Sequence, residues 1–148
     1  MAVVGFTKLQ EIFRKGAGLD IHKGHAKEIT DIIDQKVYDL LVAGERNAKY
    51  NSRDVIWVCD VPLTNGLEKT IDEFKKLEES IEVKDVVEML THYPATIALE
   101  IELENRLPEI FGGVLLGMAK IMKAIDAKDK TVDHELINKA KAVLDLTM

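Results

Sequence analysis

The residues in this sequence with types and spacings suited to chemistry are few, and each has a plainer competing explanation. His22 and His25 stand at His-x-x-His spacing, with Glu28 three residues further on. Imidazoles and a carboxylate one helical turn apart are zinc-type ligands. No cysteine or third histidine lies near them in sequence, however, so they read as capping or surface histidines and no metal is assigned. The acidic stretch from Glu68 to Glu88, with Glu100, Glu102 and Glu104, could supply a general acid–base pair. Such a pair needs surroundings that push two pKa values apart. The pattern builds none, so a solvated acidic face is expected. Ser52 has no base near it in sequence. Cys59 sits among Trp57, Val58 and Val61, where a buried structural thiol is expected. Gly112-Gly113 lies inside a helical pattern and lacks the rest of a phosphate loop. The sequence therefore assigns no catalytic residue, no metal and no cofactor, and a non-enzymatic protein is expected.

One pair points to structure. Arg53 and Asp60 are seven residues apart, across a segment that leaves one helical pattern and enters another. A planar guanidinium can satisfy a carboxylate and nearby carbonyls together. The pair is expected to act as a structural clamp on that loop.

These residues must be positioned by helices. Phe6, Leu9, Ile12 and Phe13 recur at helical spacing over 6–15, and Gly16 and Gly18 then stop the pattern. From about Lys23 to Tyr50 a single stripe (Ile29, Ile32, Ile33, Val37, Leu40, Leu41, Gly44, Ala48) steps by three or four residues. Asn51-Ser52 breaks it, and Val55 to Val58 is β-prone. Asp60 and Pro62 read as the start of a helix running to Glu79, with a possible interruption at Asn65-Gly66.

The second half repeats the scheme. A short helix is expected over 83–90 and a turn at Tyr93-Pro94. A second long stripe then runs from Leu99 through Leu103, Leu107, Ile110, Val114 and Met118 to Ile125. The alternation over 97–104 resembles a strand. Helix is preferred because the i+4 series continues beyond it and glutamate favours helix. Pro108 should kink or break this helix, and Gly112-Gly113 either softens it or permits close helix contact. Asp133 can cap a last helix reaching about Leu146. The two loop cores, Val55-Ile56 and Thr131-Val132, lie about 76 residues apart, an architectural repeat with little identity. A long helix cannot hide its stripe under short ones alone, so the two long helices should cross centrally.

Composition narrows the classes. A chain of 148 residues buries enough surface to need no disulfide, and its single cysteine can form none internally. No apolar run approaches the ~20 residues of a membrane span. Met1 to Phe6 is too short for a signal peptide and has no basic leader, so a cytoplasmic location is expected. The net charge of −6 is unevenly spread. Residues 65–110 hold five basic against twelve acidic side chains, while both flanks are near neutral. That balance argues against non-specific coating of DNA but leaves room for a local basic patch.

The short–long–short order resembles the histone fold, and the stretch NAKYNSRDVIWVCD (47–60), with its Arg53–Asp60 spacing, carries the likeness. The second half has Asp129 where such an arginine would stand, so it is a degenerate copy. More narrowly, DVPLTNGLEKTIDEFKKLEE (60–79) and ENRLPEIFGGVLLGMAKIMKAID (104–126) resemble a bacterial family with two histone folds in one polypeptide. The resemblance implies an all-α protein of tandem histone folds forming an intramolecular pseudo-dimer, with units 1–79 and 80–148 and no assigned activity. It also implies two loop-lined ends. One joins Ile21-His22-Lys23 to Lys128-Asp129-Lys130, and the other joins Tyr93-Pro94 to Lys49–Arg53. Lys23, Lys49, Arg53, Lys128 and Lys130 are then the candidate DNA-contacting residues. The expected function is a macromolecular binding module with weak, salt-sensitive DNA contact. The alternative is a protein-interaction module whose acidic segment recruits a basic partner.

Overall fold

The computed structural model describes residues 6–78, 98–128 and 130–148. The described residues form five α-helices: α1 (Phe6–Ala17), α2 (Lys23–Tyr50), α3 (Asn65–Glu78), α4 (Ile101–Ile125) and α5 (His134–Thr147). One turn of 3₁₀ helix, Val58–Asp60, precedes α3. There is no strand among the described residues, only two isolated bridges, so this part of the molecule is all-helical. The expected helix over 83–90 and the turn at Tyr93-Pro94 lie outside the described residues.

Each apolar stripe is buried. Leu9, Ile12 and Phe13 of α1 are fully covered, as are Ile29, Ile33 and Val37 of α2. On α4 the series Leu103, Leu107, Ile110, Val114, Met118 and Met122 is buried, and the stripe frays at Ile125. Helix α4 is the hub, packing against each of the other four helices, α2 among them. Its partners bury both flanks of the stripe, which is why Phe111, Leu115 and Leu116 are also inaccessible.

The helix ends have local causes. Helix α2 closes in a Schellman motif, in which Arg53 N–H reaches Ala48 O at 3.0 Å and Ser52 N–H reaches Lys49 O at 3.0 Å. Ser52 takes the left-handed φ of 58° that this motif requires. Asp133 caps α5, its Oδ1 accepting the Leu136 N–H at 2.8 Å.

Three readings of the sequence are corrected here. Asp60 does not cap the helix that follows. It ends the 3₁₀ turn, and Thr64 caps α3 instead, its hydroxyl accepting the Leu67 N–H at 3.2 Å. Between the two, Pro62 sits in a tight turn in which the Leu63 N–H reaches Val61 O at 2.8 Å. Residues 98–100 are not helical: Leu99 bridges Ile56, and α4 begins at Ile101. The strand-like alternation there was a true signal, because these residues hydrogen-bond to a neighbouring loop. Pro108 does not break α4, which runs through it unbroken from Ile101 to Ile125. The carbonyl that loses its donor belongs to Glu104, an exposed residue.

The loops pair reciprocally. Asp20, just before the first long helix, bridges Thr131, which follows the second; Leu99, just before the second long helix, bridges Ile56, which follows the first. Ile56 lies six residues after the end of α2, and Thr131 lies six residues after the end of α4. Both bridges are parallel. The hydrogen bonds are Asp20 N–H to Lys130 O (2.7 Å), Val132 N–H to Asp20 O (2.9 Å), Ile56 N–H to Ala98 O (2.9 Å) and Glu100 N–H to Ile56 O (3.0 Å). Each end of the molecule is thus stitched from two segments distant in sequence.

Lys36 on α2 is buried to 6% exposure and forms an ion pair with Asp145 of α5 and another with Asp39, at 3.7 Å. The ammonium holds the Asp145 carboxyl below the usual carboxylate range, through its hydrogen bond first and its charge second. Because Asp145 is near half exposed, water can replace its partner. Lys36→Met keeps the apolar stem and is expected to change stability by less than about 1 kcal/mol. Thermal unfolding followed by circular dichroism checks this.

Candidate functional site

At the end where α2 finishes, the Schellman motif aims Arg53 back across the loop. Its Nη1 and Nη2 donate to Asp60 Oδ2 and Oδ1 at 2.5 and 2.7 Å, a two-pronged pair. Nη1 also reaches Val55 O at 3.4 Å. Asp60 is buried, and its Oδ2 accepts the Trp57 N–H at 2.8 Å, while its carbonyl accepts from Asn47 Nδ2 at 2.8 Å. The guanidinium carbon lies 4.0 Å from the centre of the Trp57 ring, a cation–π contact. The Arg53 hydrogen bond holds the Asp60 carboxyl below its ordinary range against the opposing effect of burial, with the Trp57 N–H and the Arg53 charge adding to it. The same bond raises the Arg53 guanidinium.

This bonding leaves the end poor in available cations. Arg53 is occupied by Asp60, and Lys49 pairs with Glu45 at 3.0 Å. The shallow cleft between them, about 220 Å³, is lined by Glu45 and Asp54 as well as by Lys49 and Arg53. Cys59 is exposed, contrary to the buried thiol expected, because the 3₁₀ turn points it outward and buries Asp60 instead.

The opposite end differs. The Asp20–Thr131 bridge brings Lys128 and Lys130 to the start of α2, where Lys23 is the first residue. All three lysines are exposed and make no ion pair among the described residues. The N-cap of α2, His22, makes no side-chain capping bond, and Gly24 in the first turn has open space where a Cβ would stand. That helix start, with its partial positive charge, is therefore accessible to an anion. Arg14 is taken up by Asp20 at 2.6 Å. The five candidates thus divide into Lys23, Lys128 and Lys130 at one end and Lys49 and Arg53 at the other.

Sequence spacing missed one member of the first end. His134, the first residue of α5, places Nδ1 3.0 Å from Glu28 Oε1. His25 Nδ1 stands 3.7 Å from Glu28 Oε2. The signal lay 106 residues away from Glu28 and needed the loop pairing to become visible. Among the described residues no three His, Cys, Asp or Glu side chains are arranged to hold a metal ion.

Elsewhere, an apolar cavity of about 300 Å³ opens between α3, α4 and the end of α5, lined by Leu67, Val114, Ile121 and Leu144. Among the described residues no helix is long and apolar enough to cross a membrane.

The family described as domain of unknown function (DUF1931) matches residues 9–145. The chain belongs to that family. An Aquifex aeolicus (strain VF5) protein is 31% identical over 146 residues, covering 92% of this chain and 87% of its own. A second protein from the same organism is 27% identical over 127 residues, covering 85% and 74%. Both carry only the description uncharacterized protein. A crystal structure from Thermus thermophilus superposes with a TM-score of 0.89 at 34% identity, covering 98% of this chain and 99% of that one. A 1.9 Å crystal structure of an Aquifex aeolicus protein superposes with a TM-score of 0.79 at 24% identity, covering 100% and 98%, and shows the likeness of fold alone.

Proposed function

We propose that this DUF1931 chain is a non-enzymatic DNA-contacting module, built as two histone-fold units (1–79 and 80–148) that form a pseudo-dimer within one polypeptide. The observation that carries the proposal is the reciprocal loop pairing. The segment before each long helix is bonded to the segment after the other, and each bridged residue that follows a long helix lies six residues beyond its end. Two units related by an internal twofold would exchange their loops in this way. The exchange sets Lys23, Lys128 and Lys130 around the open start of α2, giving cations and backbone N–H groups that suit phosphate oxygens.

Three lysines on a chain of net charge −6 give weak contact. Affinity for duplex DNA should fall steeply with salt, by about 0.9 in log K per log[salt] for each phosphate neutralised. Replacing Lys23, Lys128 and Lys130 together by Gln should lower affinity at low salt on the order of tenfold and flatten the slope by about two to three. Fluorescence anisotropy with labelled duplex checks both. No binding at the lowest salt, or a variant indistinguishable from wild type, removes the proposal.

A second reading, protein binding, is favoured by the other end. There Tyr50 is 80% exposed and Ile101 74%, with Val55 and Trp57 partly exposed. Exposed aromatic and aliphatic side chains beside compensated charges suit a protein partner better than phosphate. Of the acidic segment assigned to such recruitment, 65–110, residues 79–97 lie outside the described residues.

A further inference from the structure

Three imidazoles gather at the end that carries Lys23, Lys128 and Lys130. The His22 and His25 ring centres lie 6.4 Å apart at the start of α2. His134 reaches the same place from α5, and the Glu28 carboxylate stands between its ring and that of His25. His22 and His134 are exposed, and the His25 side chain is about a quarter exposed, so solvent protons reach all three.

We propose that this end is a proton-gated phosphate contact, in which protonation of His22, His25 and His134 adds to the three lysines that hold DNA. The inference rests on the DNA-contact reading above and supplies its regulation.

The surrounding charges decide how much the gate can change. On α2, Lys27 is paired with Asp31 at 3.4 Å. On the preceding loop, Asp20 is held by Arg14. On α5, Glu135 pairs with Lys139 at 3.1 Å and Asp133 caps the helix. In the loop before α5, Asp126 accepts the Lys128 N–H at 3.1 Å. Each of these carboxylates already has a partner of its own. Among the described residues Glu28 is the acid that faces the rings, and one carboxylate pairs with one imidazolium of three. With all three rings protonated, about two imidazolium charges are left unpaired beside Lys23, Lys128 and Lys130. The sign is fixed: falling pH strengthens phosphate binding, and bound phosphate favours proton uptake by the same factor.

The test measures duplex DNA binding by the full chain at about pH 7.5 and 5.5, across about 50–200 mM salt. At the lower pH, affinity should rise on the order of tenfold and the salt slope should steepen by about two. In a His22→Gln/His25→Gln/His134→Gln variant, the ratio of affinities between the two pH values should fall to about one. Circular dichroism at both pH values shows that each protein stays folded. Equal affinity of the wild type at both pH values overturns the gate, as does a triple variant that keeps the full response. Absence of binding at both pH values overturns the DNA reading itself and the gate with it. Binding that is real but independent of pH removes the gate alone.

Discussion

Gly113→Ala is expected to destabilise the protein by about 1–3 kcal/mol, although alanine is the better helix former. The reason is the distance between α3 and α4. An ideal Cβ on Gly113 would clash with the Ile71 side chain and stand 3.0 and 3.1 Å from the Ile71 Cα and N. A flexible side-chain tip can move aside, but a helix backbone moves only by separating the two helices. The neighbouring Gly112 faces the ring of Phe74, which is itself buried. Gly117, one turn on, is the control. The nearest atoms to its missing Cβ are those of Thr70 at 3.8 Å, an ordinary contact. Gly117→Ala should therefore stabilise by about 0.5–1 kcal/mol through helix propensity alone. Opposite signs four residues apart on one helix, read by chemical denaturation, would establish the close approach. Equal signs would remove it.

This contrast also shows where sequence reasoning runs out. The repeat of apolar residues placed α1, α2 and the later turns of α4, because a buried stripe has a period that any partner must respect. It left Gly112-Gly113 open between softness and close contact, because a glycine pattern does not say what faces it. The alternation over 97–104 was overruled in favour of helix for a related reason. A strand-like pattern and a helical one overlap at Leu99 and Leu103, and only the Ile56 bridge decides where one gives way to the other. Among the candidate site residues, the proximity of Arg53 and Asp60 was legible because both lie on one short loop. The gathering of Lys23, Lys128 and Lys130 was inferred only through the family resemblance. The approach of His134 to Glu28 was not legible at all, since nothing local in either segment encodes a contact between elements so distant in sequence. Cys59 was misplaced because its neighbours are apolar, yet a single 3₁₀ turn decides which of Cys59 and Asp60 faces inward.

Asp60→Ala is expected to cost about 2–3 kcal/mol and to lower the melting temperature by roughly 5–10 °C. The carboxylate is 3% exposed and serves three donors: both Arg53 prongs and the Trp57 N–H. Removing it leaves the guanidinium without its partner, but that side chain is 21% exposed, so water recovers part of the loss. Asp60→Asn keeps the shape and one acceptor oxygen and should cost less. Arg53→Lys should also destabilise, since an ammonium cannot make the two-pronged pair or stack as a plane on Trp57. Combining Arg53→Ala with Asp60→Ala should cost clearly less than the sum of the two single changes. Because Trp57 is the chain's single tryptophan, its fluorescence reports the loop directly. The pH dependence has a definite sign. The folded-state pKa of Asp60 lies below its ordinary value of 3.8, so the pair's contribution is complete above that value and is lost as pH falls through the lower, folded one. Asp145 is depressed in the same direction by Lys36, so Asp60→Asn should blunt the acid loss of stability without abolishing it. An Asp60→Ala protein that melts with the wild type, with Trp57 emission unchanged, would show that the loop is held by its backbone bridge to Leu99 and not by the ion pair.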